Sequence, residues 1–126
     1  MKIKIFCDIA DLTSIKKFSK KKIVKGFTQN PSLIRKAGAK DYRLYSKKIL
    51  SICKNKPVSL EVFADDQKSM IEQGKKINGW GKNVYVKVPV VNSKNQFTGN
   101  KLFSLQLYML LKIQMWELSC KWCRLI

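Results

Sequence analysis

The sequence predicts an α/β fold built from parallel βα units, and three observations carry that expectation. Runs rich in β-branched and aromatic residues (3–7, 23–28, 58–63 and 84–90) alternate with stretches whose apolar residues recur three and four apart. Strand and helix patterns in alternation imply a parallel sheet, either open or closed as a barrel. The connections between them are short, and an Asp stands where most of the helices should begin. Finally, the run Val84-Tyr85-Val86-Lys87-Val88-Pro89-Val90 is continuously apolar but for one lysine. A continuous run, unlike an alternating one, suits a parallel strand covered on both faces.

In chain order, residues 3–7 read as a first strand ending at Asp8. Asp11 can cap a helix with Leu12, Ile15 and Phe18 on one face. Lys20-Lys21-Lys22 falls in or just after its last turn, where positive charge is favoured by the helix dipole. Residues 23–28 form a second strand, interrupted by Lys25 and Gly26. Gln29-Asn30-Pro31-Ser32 breaks it and opens a short helix with Pro31 in the first turn, and that helix ends across residues 36–40. Asp41 caps the next, whose apolar face is Tyr42, Tyr45, Ile49 and Ile52. Pro57 leads into a third strand over 58–63. Asp65 or Asp66 caps a helix bearing Met70, Ile71 and Ile77 and ended by Gly79. Residues 84–90 are the fourth strand, and 91–100 read as loop. Residues 102–118 are densely apolar without a clean strand–helix rhythm and suit a helix. As a membrane span they are interrupted by Gln106, Lys112, Gln114 and Glu117.

At 126 residues the chain has the length of one ordinary domain, and its 45% apolar content allows a real core. Lys and Arg outnumber Asp and Glu 26 to 8, for a net charge of +18. That excess reads either as a solvated lysine surface or as attraction to anions such as nucleic acid and sugar phosphates. The lysines are spread over nearly every segment without interleaved aromatics, which speaks against nucleic acid. The absence of histidine removes His-based metal sites and His-dependent nucleophiles. Of the four cysteines only Cys120 and Cys123 have a suggestive spacing, and one CxxC at a chain end is weak ground for zinc or redox chemistry. The first residues enter a strand directly and lack a signal-peptide pattern, so a reducing cytoplasm is the default setting.

Strand alternation selects the residues that could carry chemistry. Lys4, Phe6 and Asp8 share one face of the first strand, Ser59, Glu61 and Phe63 one face of the third, and Tyr85, Lys87 and Pro89 one face of the fourth. If each set faces the sheet interior, Asp8, Glu61 and Lys87 converge near the strands' carboxyl ends, where parallel α/β folds place active sites. An unpartnered ammonium in an apolar strand costs several kcal/mol. Lys87 therefore either reaches an edge or is held for chemistry, and the three charges are either unrelated strand-end residues or a set. As a set they suit imine chemistry. Desolvation makes an amine nucleophilic by favouring its neutral form, and two carboxylates can divide the proton transfers.

Four segments in this order resemble the transaldolase family, including its fructose-6-phosphate aldolase branch. They are Phe6-Cys7-Asp8, Gly26-Phe27-Thr28-Gln29-Asn30-Pro31-Ser32-Leu33, Val58-Ser59-Leu60-Glu61-Val62-Phe63-Ala64 and Asn83-Val84-Tyr85-Val86-Lys87-Val88-Pro89-Val90. The resemblance implies a TIM (β/α)8 barrel without metal or organic cofactor, acting on sugar phosphates of the pentose phosphate pathway through a lysine Schiff base. Lys87 resembles the Schiff-base lysine, Asp8 the acid/base residue for the hydroxyl at the cleaved carbon, and Glu61 the carboxylate that works through a water on the imine steps. Asn30 and Thr28 resemble residues lining the ketose site. Glu61 points to transaldolase, since the aldolase branch tends to carry glutamine there. Ile9 and Gln29 depart from the family pattern and bear on substrate fit.

The resemblance stops near residue 100. Residues 1–100 then read as the first four strands of a truncated barrel, and 101–126 as an apolar tail, the product of out-of-frame translation or a truncated gene. The implied reaction moves a dihydroxyacetone unit from a ketose phosphate to an aldose phosphate, with no membrane partner. The alternatives are an aldolase-type lyase, a basic α/β fragment that binds anions or RNA without catalysis, or a decayed gene product. Four strands cannot close an eight-stranded barrel. The first and fourth would be unpaired edges, so the chain is expected to be oligomeric, poorly soluble or molten, with little activity.

Overall fold

The structure is a computed structural model that describes residues 4–89 and 113–115. Its elements run β1 (Ile5–Asp8), α1 (Leu12–Ser19), β2 (Val24–Gln29), α2 (Pro31–Lys36), α3 (Tyr42–Ile52), β3 (Val58–Glu61), α4 (Gln67–Asn78), β4 (Val84–Val88) and β5 (Ile113–Met115). The strands form one sheet in the order β1-β2-β3-β4-β5, every neighbouring pair parallel. This is the βα-unit architecture expected of part of an α/β barrel. Ile3, Val90, the loop expected over 91–100 and the Cys120/Cys123 pair lie outside the described residues.

Each helix starts at a side chain that accepts a hydrogen bond from the backbone N–H three residues on. Asp11 accepts from Ser14 at 2.7 Å, Asn30 from Leu33 at 2.8 Å, Asp41 from Leu44 at 2.8 Å and Asp66 from Ser69 at 2.9 Å. These bonds satisfy donors that a helix leaves open at its first turn. Pro31 occupies the first turn of α2, where its missing N–H costs nothing. After α2 the chain reverses at Gly38, whose φ of +87° is open to glycine without strain.

The outer face of the sheet is a dry core. Phe27, Val58, Leu60, Val62, Val84 and Val86 are buried there against Ile15, Ile34, Ile49, Leu50, Met70 and Ile77 from the helices. At the strands' amino ends, side chains tie the connections together. Asn83 Nδ2 donates to the carbonyls of Leu50, Cys53 and Lys56 at 3.3, 2.8 and 3.1 Å. Lys56 Nζ donates to the Lys21 carbonyl at 2.7 Å.

Several expectations need correction. Lys25 and Gly26 do not interrupt β2. Instead the pairing with β1 shifts between Ile5 and Phe6, and Gly26 makes room for the Phe6 ring. A Cβ on Gly26 would lie 2.7 Å from Phe6 Cδ1 and 2.8 Å from the Pro57 carbonyl oxygen. Gln29 continues β2, paired with Leu60, so the break comes one residue later, at Asn30. β3 ends at Glu61: the Val62 N–H still donates to the Lys87 carbonyl at 3.0 Å, but beyond it Gln73 Oε1 accepts from the N–H groups of Phe63 at 3.0 Å and Ala64 at 3.1 Å. Within the apolar stretch expected to be helical, residues 113–115 form a strand. That strand also overturns β4 as an unpaired edge, since Val86, Lys87 and Val88 pair with Ile113, Gln114 and Met115. β1 stands at the end of the strand order.

Candidate active site at the carboxyl ends of the strands

Neighbours in register on a parallel sheet point to the same side. Asp8 pairs with Thr28, Thr28 with Ser59, and Ser59 with Tyr85. One row further toward the carboxyl ends, Glu61 pairs with Lys87. All six therefore share the inner face, opposite the helix-covered core. The alternation expected from sequence is thus realised, and Thr28 joins it through β2.

Lys87 Nζ lies 3.2 Å from Glu61 Oε2, with the two side chains 13% and 21% exposed. Water reaches this pair poorly, so it is screened less than a surface ion pair. Lys87 does not escape along an edge, because β4 is flanked by both β3 and β5. Asp8 sits at the exposed end of β1. Desolvation by the surrounding protein raises its carboxyl above the usual range, and attraction to Lys87 offsets part of that rise.

Thr28 is 3% exposed, and its hydroxyl has no hydrogen-bond partner among the described residues. Buried polar atoms are nearly always paired, and this orphaned hydroxyl stands beside Asp8 in register. Asn30 follows directly at the carboxyl end of β2. Its Oδ1 is committed to capping α2, which leaves its Nδ2 as the group able to donate inward.

Four supporting residues are invisible as site residues in the sequence. Gln29 is fully buried, and its Nε2 donates to the Ile9 carbonyl. It therefore supports the backbone after Asp8 and does not line the inner face, so its departure from the family pattern bears on loop position. Tyr45 Oη donates to the Ala10 carbonyl at 3.1 Å, holding the same loop. Tyr42 Oη donates to the Glu61 carbonyl at 3.2 Å, and its ring meets Phe63 and Trp80 edge-on, each at 5.8 Å between centroids. Burial pushes the Tyr42 phenol well above its ordinary range, which keeps it a neutral donor. Gln73 fixes the backbone just after Glu61. The helical 3/4 spacing explains Tyr42 and Tyr45 as core residues and hides their hydroxyls' second task.

Residues 5–97 match the family described as transaldolase/fructose-6-phosphate aldolase. The chain belongs to this family. It is 38% identical over 87 residues to a probable transaldolase of Dehalococcoides mccartyi, covering 69% of this chain and 40% of that protein. It is 43% identical over 90 residues to a probable transaldolase of Nitrosopumilus maritimus, covering 70% and 39% respectively. A third, from Thermoplasma volcanium, is 39% identical over 92 residues, covering 71% and 41%. The chain thus spans about 40% of the length of the curated relatives it matches. Lys87, Glu61, Asp8, Thr28 and Asn30 all fall within the matched stretch. Among the described residues, no helix is long and apolar enough to cross a membrane.

Proposed function

We propose that this chain carries the imine-forming half of a transaldolase site acting on sugar phosphates. The Lys87–Glu61 pair, sheltered on the inner face in register, is the observation that carries the reading. Lys87 Nζ passes a proton to Glu61, 3.2 Å away, by way of a water, and the neutral amine attacks the ketose carbonyl carbon. The carbinolamine hydroxyl leaves as water once protonated, giving an iminium. Asp8 then takes the proton of the hydroxyl on the carbon being cleaved. The C–C bond breaks, an aldose phosphate departs, and its electron pair remains as an enamine on Lys87. Addition of that enamine to an acceptor aldehyde, followed by hydrolysis, transfers the dihydroxyacetone unit. The orphaned Thr28 hydroxyl and Asn30 Nδ2 bind ketose hydroxyls. A raised Asp8 carboxyl suits a group that must both accept and return a proton. Glu61, where a lyase of this family would tend to have glutamine, favours transfer over aldol cleavage. The setting is a reducing cytoplasm, consistent with Cys7 and Cys53 as free thiols.

Steady turnover requires reacting groups held within about 0.5 Å, and the described strands supply one side of the site. Imine formation should therefore be easier to detect than transfer. The test is borohydride trapping with fructose 6-phosphate, read by intact mass and peptide mapping. One adduct at Lys87, absent from Lys87→Ala, supports the reading. Adducts scattered over surface lysines and unchanged in that variant overturn it.

A further inference from the structure

In the folded molecule, charge separates along the strand direction. Asp8 and Glu61 end strands, Asp11, Asp41 and Asp66 cap helices, and Asp65 lies just before α4. All of these lie toward the carboxyl ends of the strands. That holds for the α3 cap as well, since Tyr42 and Tyr45 from its first turns reach the Glu61 and Ala10 carbonyls. The opposite end is built from the returns of α1 to β2, α3 to β3 and α4 to β4. Residues 16–25, 47–57 and 75–83 of those returns contain many lysines and not one Asp or Glu. A sequence reading sees lysines in every segment, whereas the βα topology collects these returns at one end.

We propose that this amino-end face is a docking surface for the phosphate backbone of RNA. Helix dipoles account for Lys16, Lys17, Lys75 and Lys76, which stand in the last turns of their helices. They do not account for Lys21, Lys22 and Lys54, which lie beyond any helix and are exposed. Like charges crowded in this way repel, and an extended polyanion relieves the repulsion while releasing its own counterions. Lys56 Nζ on the Lys21 carbonyl joins two of the returns into one continuous surface. Membrane docking would need an apolar face to bury beside the charge. The large apolar side chains exposed among the described residues are Ile23, Leu44 and Phe63, and only Ile23 lies at this end. The proposal is independent of the imine chemistry at the other end.

The test uses the full chain and a fluorescein-labelled, mixed-sequence RNA of about 20 nucleotides. Anisotropy is followed across ionic strengths at which each neutralised phosphate contributes about 0.7 to the salt slope. Lys20→Gln/Lys21→Gln/Lys22→Gln should weaken binding at least tenfold and lower the slope by about 2. A second variant, Lys54→Gln/Lys75→Gln/Lys76→Gln, should do the same, so misfolding of either one leaves the other informative. The charge-matched variant Lys40→Gln/Arg43→Gln/Lys68→Gln, at the acidic end, should change affinity less than twofold, and near-UV circular dichroism confirms folding throughout. Equal loss in all three variants would reduce the effect to net charge and overturn the proposal. So would absence of binding at about 0.1 M salt, where the screening length is about 10 Å, or tighter binding to phosphatidylserine vesicles than to RNA.

Discussion

The two faces of the sheet meet opposite demands. The outer face is completed by the chain's own helices, and Phe27, Ile49, Val58, Leu60 and Val86 lose all contact with water. The inner face carries Asp8, Thr28, Glu61 and Lys87, with Phe63 left 61% exposed nearby. One face therefore provides cohesion and the other provides polar groups that a substrate or further barrel strands would satisfy. The buried apolar set and the polar set are separated by a single peptide unit along each strand, since successive residues point to opposite sides. Substitutions on the two faces should consequently differ in kind.

The largest expected effect is on the inner face. Lys87→Ala should abolish the trapped adduct and lower any transfer activity at least about 10³-fold, equivalent to roughly 4 kcal/mol of barrier. A coupled transfer assay beside the borohydride experiment checks this. Adduct formation that survives the substitution would break the assignment of the nucleophile.

On the outer face, Ile49→Ala removes a fully buried side chain between helix and sheet. It should cost about 2–5 kcal/mol, a large share of an ordinary domain's stability. Urea unfolding followed by circular dichroism measures it. The folded fraction should still form the Lys87 adduct at the parent rate. A lowered rate would show that the faces are coupled.

How legible this division was in the sequence depends on which forces act over short spans. Period-two alternation placed Asp8, Glu61 and Lys87 on one side, and 3/4 spacing placed Ile15, Ile49 and Met70 under the sheet. Local capping identified Asp11 and Asp41, and Asp66 as one of two candidates for the α4 cap. What escaped depends on distant partners. Gln29 looked like the start of a break because a glutamine is unexpected in a buried strand, and only the Ile9 carbonyl twenty residues away explains it. Gln73 stops β3 from across the α4 connection. Residues 113–115 lie in an apolar stretch whose periodicity does not separate strand from helix, and pairing with β4 decides the matter.

A smaller effect comes from Thr28, which sits on the inner face but is buried like an outer residue. Thr28→Val keeps the shape and removes the orphaned hydroxyl. Stability should be unchanged or slightly higher, because a buried polar atom without a partner contributes nothing. Adduct formation should slow by about tenfold, roughly 1.4 kcal/mol, through loss of a hydrogen bond to the ketose. Stopped borohydride time courses resolve this. A clear loss of stability with an unchanged adduct rate would make Thr28 a packing residue instead.

The smallest effect, and the one that tests the comparison most finely, concerns Asp8. Desolvation raises its carboxyl in the folded chain, with Lys87 partly offsetting the rise. A folded-state value above the unfolded one means that the folded chain binds the proton more tightly. The stabilising contribution is then fully present below the ordinary Asp range, near pH 3.9, and is lost as the pH rises through the folded value. At neutral pH the charged carboxylate is then a net burden on folding. Asp8→Asn should therefore raise the urea midpoint slightly at pH 7, while near pH 3, where Asp8 is protonated in both states, the difference should disappear. Transfer activity should fall at the same time, because the amide cannot take the hydroxyl proton. If Asp8→Asn instead destabilises the chain at pH 7, attraction to Lys87 outweighs desolvation. The inner face would then contribute to cohesion as the outer one does.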